Sequence, residues 1–199
     1  GRYDPEEARK AYSFWCDSGP FDCGMSVAGG LRGRPNPDSQ ANGAMMRISP
    51  LGIFGANHDP ELVAEWTRRD AAITHPHRVC QQANALFTMA IARAIRQGSA
   101  ARNLYEQIVT WAEDMKVDGS LREALRGAGE SPPADYLHQQ GWVLTAFRNA
   151  LWQLLHAPNL EEAVVDTVMR GRDPDTNAAI CGALLGLSLI HISEPTRPY

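Results

Sequence analysis

Val79, Ala83, Leu86, Phe87, Ala90, Ile91, Ala94 and Ile95 recur at three- and four-residue intervals. Side chains with that spacing share one side of the backbone only when it winds as an α-helix. The same period returns in Val143, Phe147, Ala150, Leu151 and Leu154. The alternating apolar and polar runs that half-buried strands require are lacking. The sequence therefore predicts an all-α domain of stacked helices.

Start and stop signals divide the chain further. Asp4 is a natural N-cap for a helix over 5–15, with Pro5 at its first position and Glu6 and Glu7 in the first turn. Asp59 and Pro60 repeat the device before a helix over 61–74, and Gly98 stops the one over 79–95. Further helices are predicted over 100–115 and, capped by Asn159, over 160–169. Gly and Pro punctuate 29–38 and 127–133 so densely that both are expected to be irregular.

Bulk properties narrow the functional classes. A chain of 199 residues with 44% hydrophobic and 21% charged residues can bury one domain's core. Its formal net charge of −4 gives no basic face for specific nucleic-acid binding. No apolar run approaches the roughly 20 residues that span a membrane. Cys16, Cys23, Cys80 and Cys181 lack the close spacing of a zinc site. Scattered thiols fit a reducing compartment, so a cytoplasmic protein is expected.

Chemistry concentrates near the end of the chain. Gly171-Arg172-Asp173-Pro174-Asp175-Thr176-Asn177 brings two carboxylates and a hydroxyl together as a helix begins. Hard cations such as Mg²⁺ or Mn²⁺ prefer oxygen donors of this kind. An acidic helix start also has a purely structural explanation, since Asp173 is a natural N-cap and Asp175 complements the helix dipole. Against that stand Ala178, Ala179, Gly182 and Ala183. They form a small-residue face expected to carry the helix start deep into the fold, where paired carboxylates need a compensating cation.

Two other segments belong with it. Ser39-Gln40-Ala41-Asn42-Gly43-Ala44-Met45-Met46-Arg47 follows a Pro-rich loop and leads into a helix. A Gly-containing loop at a helix start can present N–H groups to a phosphate, although Asn-Gly alone is an ordinary turn signal. Arg47 is expected to be a buried ion-pair partner. His75, in Thr74-His75-Pro76, lies between two helices. His58, His77, His138 and His156 are read as structural.

Taken in order, the Asn-Gly-Ala-Met-Met-Arg, Thr-His and Asp-Pro-Asp-Thr-Asn-Ala-Ala-Ile segments resemble the ADP-ribosylglycohydrolase family. The resemblance runs from residue 3 to 186. It implies a partial orthogonal helical domain of the ADP-ribosylglycohydrolase type over 1–186. It also implies hydrolysis of the N- or O-glycosidic bond at C1″ of ADP-ribose, on an ADP-ribosylated protein or a small ADP-ribose conjugate. By the match, Asp173, Asp175 and Thr176 would be ligands of two Mg²⁺ or Mn²⁺ ions, with Asp175 bridging. Ser39, Gln40, Asn42 and Gly43 would contact the pyrophosphate and proximal ribose, His75 the diphosphate-ribose, and Trp142 the adenine. A catalytically silent ADP-ribose-binding or structural protein on the same scaffold is the alternative.

The family's amino-terminal Gly-Asp-Ala helix and Asp-Asp-Thr motif, which supply the other metal ligands, have no counterpart here. The general acid or base is expected in that missing part, so this chain alone is expected to be inactive. Residues 187–199 read like a translated sequencing adapter, and are expected to be a non-native tail.

Overall fold

The computed structural model describes residues 2–134 and 136–193, with side chains to residue 187. Among them every regular element is helical. The one strand-like feature is an isolated antiparallel bridge between Ala41 and Trp142. No helix among the described residues is long and apolar enough to cross a membrane.

The core is built on α5, Arg78–Gln97. The sequence suggests one apolar stripe, yet α5 is buried nearly all round from Val79 to Ala92. That is the pattern of a helix enclosed by others. Two of its interior polar residues bond to the helix itself, Asn84 Nδ2 to Cys80 O at 2.8 Å and Thr88 Oγ1 to Asn84 O at 2.7 Å. Gly98 ends it at φ 58°, giving its N–H to Ala94 O.

Around α5 pack α3 (Ser49–Gly55), α4 (Pro60–Ala72), α6 (Ala101–Asp114), α9 (Val143–His156) and α11 (Pro174–Ser193). Phe87 on α5 and Phe147 on α9 meet edge to face with centroids 6.0 Å apart. Each buries a side chain contributing roughly 1.5–3 kcal/mol. Helix α7 (Gly119–Glu130) covers α9, and α10 (Leu160–Met169) covers α11. The remaining elements are α1 (Pro5–Asp17), α2 (Met25–Leu31), the 3-10 helix Asn42–Arg47 and the short α8 (Tyr136–Gln139).

Capping residues act largely as the sequence predicts. Asp4 accepts from Glu6 N at 2.9 Å, and Asn159 accepts from Glu162 N at 2.9 Å. Asp59 makes no side-chain cap bond, although its carbonyl accepts from Val63 N.

Three local expectations are corrected. Residues 29–31 are helical, in α2, because Gly30 lets that helix lie against the next layer. A Cβ there would stand 2.4 Å from Thr74 Cα. Residues 127–130 are helical too, at the end of α7, where Arg148 Nη2 donates to Gly127 O and to Ser131 Oγ. The start of α11 is not deeply buried, since Asp175 is exposed and Asp173 half-buried. The core-facing side of α11 is Asn177, Ile180, Cys181, Leu184 and Leu185, while Ala179 of the small-residue face is exposed. Bulkier side chains one register over offer more apolar area to the core, and burial follows area. The helix that Asn42-Gly43 leads into, as the sequence predicts, is a six-residue 3-10 helix.

The backbone of α11 runs to Ser193, which takes in part of the segment read as a non-native tail. Residues 194–199 lie outside the described residues.

Candidate active-site cleft

Two loops converge on the start of α11. Asn42 N donates to Gly141 O at 2.9 Å and Val143 N donates to Gln40 O at 2.8 Å. This pairing clasps residues 40–42 against the segment entering α9. It also commits the Asn42 amide to protein, so that N–H is not free for a phosphate. From the clasp, Asn42 Nδ2 reaches Asp173 Oδ2 at 2.9 Å and Asn177 Oδ1 at 3.2 Å. Asn177 Nδ2 in turn donates to Gln140 O at 3.1 Å. The carboxylate that opens α11 is thus held by an amide from the opposite end of the chain.

One cleft of about 350 Å³ results. Asn42, Gly43, His75, Asp173, Asp175 and Thr176 all line it, with the loop before α2 forming another wall through Asp22 and Cys23. A neighbouring apolar cleft of about 400 Å³ shares Met46, Asp175 and Thr176, and adds Tyr12, Trp15, Arg47 and Ala179. Asp175 and Thr176 therefore stand between two hollows.

The other expected contacts lie apart from these residues. Ser39 Oγ is 2.9 Å from Ser26 Oγ, and Ser26 lines the first cleft. Gln40 Oε1 accepts from Trp142 Nε1 at 3.0 Å. Trp142 lines a separate hollow of about 290 Å³ with Gln139, Glu123 and Arg148.

His75 is fully buried. Its Nδ1 is 2.8 Å from Thr74 Oγ1, and its Nε2 has no hydrogen-bond partner. Burial first, and the Arg47 charge second, lower its pKa to about 4, so the ring is neutral at pH 7. Gly43 makes room for it. A Cβ at that position would lie 3.2 Å from His75 Cε1 and 2.9 Å from Val27 Cγ2. Two other histidines have local packing roles. His77 Nδ1 caps α5 through Val79 N, and His58 packs edge-on against Trp66.

Arg47 is the buried ion-pair partner the sequence predicts. Its Nη2 is 3.4 Å from Asp70 Oδ1, with Asp70 1% exposed. Tyr3 and Tyr12 donate to the same carboxylate at 2.8 Å and 3.0 Å, and the Arg47 guanidinium lies 4.2 Å over the Tyr12 ring. Burial raises the Asp70 pKa, while Arg47 and the two phenols oppose the shift. Desolvation by burial, foremost, and then the Asp70 charge hold both phenols protonated, well above the usual tyrosine range.

Sequence reasoning missed Asp70, Tyr12, Trp15 and Cys23 as neighbours of the site. None stands in a recognisable pattern, and only the packing of α1, α4 and the loop before α2 brings them there.

The donor chemistry suits a hard divalent cation in part. Asp173, Asp175 and Thr176 offer oxygen only, at the exposed start of a helix lining a cleft. No group of three or more His, Cys, Asp or Glu among the described residues could hold a metal ion. Asp173, Asp175 and Thr176 share one cleft wall as oxygen donors.

A profile of the ADP-ribosylglycohydrolase family matches residues 1–189. The chain belongs to the ADP-ribosylglycohydrolase family. It is 25% identical to a putative ADP-ribosyl glycohydrolase of Acanthamoeba polyphaga mimivirus, over 94% of this chain and 64% of that protein. It is 23% identical to the ADP-ribosyl-dinitrogen reductase glycohydrolase of Rhodospirillum rubrum, over 94% of this chain and 62% of that protein. The ADP-ribosylarginine hydrolase Tri1 of Pseudomonas putida (strain GB-1) matches at 23% identity, over 79% of this chain and 40% of that protein. The chain thus spans less than two thirds of the length of these ADP-ribosylglycohydrolase relatives. A solved ADP-ribosylglycohydrolase-related protein complex shares the fold, with TM-score 0.77 and 22% identity over 94% of this chain and 64% of that one.

Proposed function

We propose that this chain forms the cleft of a cytoplasmic, metal-dependent hydrolase that cleaves the N- or O-glycosidic bond at C1″ of ADP-ribose conjugates. One observation carries the reading. Asn42, Gly43 and His75 share one cleft with Asp173, Asp175 and Thr176, although the chain between them spans most of the domain. Family membership and the named activities of the relatives support the same chemistry.

Asp173, Asp175 and Thr176 would hold Mg²⁺ or Mn²⁺, two ions in the full site. When bound, such ions orient sugar hydroxyls and lower the pKa of a water. The other tasks fall to the protein. Asn42 fixes the Asp173 carboxylate through its amide. His75, neutral at pH 7, lines the cleft behind Gly43 with a buried, unpartnered Nε2 and adds no charge there. The glycosidic transition state is cation-like at C1″, so the carboxylate of Asp175 at the cleft wall favours it. Ser39 and Gln40 border the phosphate side of the ligand, and Trp142 contacts it beyond the clasp. Substrates are ADP-ribosylated proteins or small ADP-ribose conjugates. Two ions need more donors than the three present here, so the chain of 199 residues alone is expected to lack turnover.

The test is ADP-ribose release from ADP-ribosylated protein by the complete gene product, with and without Mg²⁺ or Mn²⁺, beside Asp175→Ala. Metal-dependent release lost in the variant supports the hydrolase. Tight ADP-ribose binding without release from arginine-, serine- or nucleic-acid-linked substrates favours the silent binder. Absence of both contradicts the reading.

A further inference from the structure

Two of the thiols that look scattered in sequence meet at the rim of the cleft. Cys16 lies in the last turn of α1, and Cys23 stands two residues before α2. Their sulfurs are 2.7 Å apart, and both cysteines are free. Side chains so apposed need little backbone movement to bond, which is the main geometric demand of a disulfide. The other two, Cys80 and Cys181, are buried, whereas Cys16 and Cys23 are only half-buried and within reach of a small reagent.

The loop between them has functional position. Cys23 and Asp22 line the cleft together with Asn42, His75, Asp173 and Asp175. Gly19 turns the loop at φ 74°, and Phe21 at its tip is fully exposed. The tip of the loop thus faces solvent, and a covalent tie to α1 would fix the wall it forms.

We propose that Cys16 and Cys23 are a redox modification site, closing reversibly into a disulfide that ties residues 17–22 to the end of α1 and sets one wall of the cleft. The oxidant is a small-molecule disulfide such as oxidised glutathione. One cysteine loses its proton and attacks a glutathione sulfur, forming a mixed disulfide and releasing one glutathione. The second cysteine loses its proton, attacks the protein sulfur of that mixed disulfide and releases the other glutathione. The protein surrenders two electrons and two protons, and the glutathione disulfide becomes two thiols. Desolvation, and then the adjacent Cys16 thiol, raise the Cys23 pKa, so the thiolate share of Cys23 grows as pH rises. This inference is independent of what the cleft binds.

The reduced 199-residue chain is incubated with excess oxidised glutathione, alkylated under denaturing conditions, digested without reductant and analysed by mass spectrometry. The expected result is a linked peptide holding Cys16 and Cys23, two hydrogens lighter than its parts, with Cys80 and Cys181 alkylated. Dithiothreitol reverses the link. Oxidation is expected to raise Tm by roughly 5 °C, and Cys23→Ser abolishes the rise. Separate alkylation or separate glutathione adducts at Cys16 and Cys23 would overturn the proposal, as would a linked peptide with unchanged Tm. If the variant fails to fold, the peptide map and the Tm of the unsubstituted chain decide.

Discussion

Asn42 and Asp173, 131 positions apart, are joined by a 2.9 Å hydrogen bond from the Asn42 amide to the Asp173 carboxylate. The same amide group serves Asn177, which in turn holds the loop at Gln140. This bond couples the stability of the fold to the geometry of the candidate metal ligands. Asn42→Ala leaves Asn177 Oδ1 short of a donor at a buried position, at a cost of about 1–3 kcal/mol. Urea denaturation should show that loss. Asn42→Asp should cost more, because it faces Asp173 with a like charge.

The approach of Gly43 to His75 gives a second prediction. Gly43→Ala introduces a Cβ 2.9 Å from Val27 Cγ2 and 3.2 Å from the imidazole, which should destabilise by about 1–3 kcal/mol. Adding Val27→Ala should restore part of the loss. A double-mutant cycle by thermal denaturation measures the recovery.

Acid stability should carry the signature of His75. Its pKa is lowered in the fold to about 4, from 6.5. Between those values the unfolded chain binds a proton that the folded chain refuses, so stability rises with pH across the window. The contribution is full above about pH 6.5 and is lost as pH falls toward 4, by an amount on the order of 3 kcal/mol. Asp70 works in the opposite sense. Its pKa is raised, so its contribution favours the fold below the unfolded carboxylate pKa and is lost as pH rises through the folded value. Comparing Tm against pH for the unsubstituted chain and His75→Gln should show a flatter acid limb in the variant.

The Arg47–Asp70 pair is expected to behave as a buried charge that must stay matched. Arg47→Met leaves Asp70, 1% exposed, with only its two phenol donors, and should cost about 3–5 kcal/mol. Adding Asp70→Asn should recover much of this by removing the stranded charge. Equilibrium unfolding of the two variants checks it.

Much of the fold was legible because helices announce themselves locally. Asp4 and Asn159 cap the helices assigned to them, Gly98 stops α5, and Arg47 finds a buried carboxylate. What stayed hidden depended on tertiary partners. Gly30 reads as a breaker until Thr74 is placed against it. The buried side of α11 could not be chosen from spacing, because small and large apolar residues alternate around it. Trp142 looks like a free aromatic until Gln40 takes its N–H. The Cys16–Cys23 contact spans a short loop whose turn no motif specifies.

The most direct measurement is calorimetric titration of ADP-ribose into the complete gene product with Mn²⁺ or Mg²⁺ present, beside Asp175→Ala with its helicity checked by circular dichroism. The account predicts binding that depends on the ion and weakens at least about tenfold in the variant, as loss of a charged ligand-holding group requires. Equal affinity in the two proteins, or no binding to either, would contradict the claim that this cleft holds ADP-ribose and metal together.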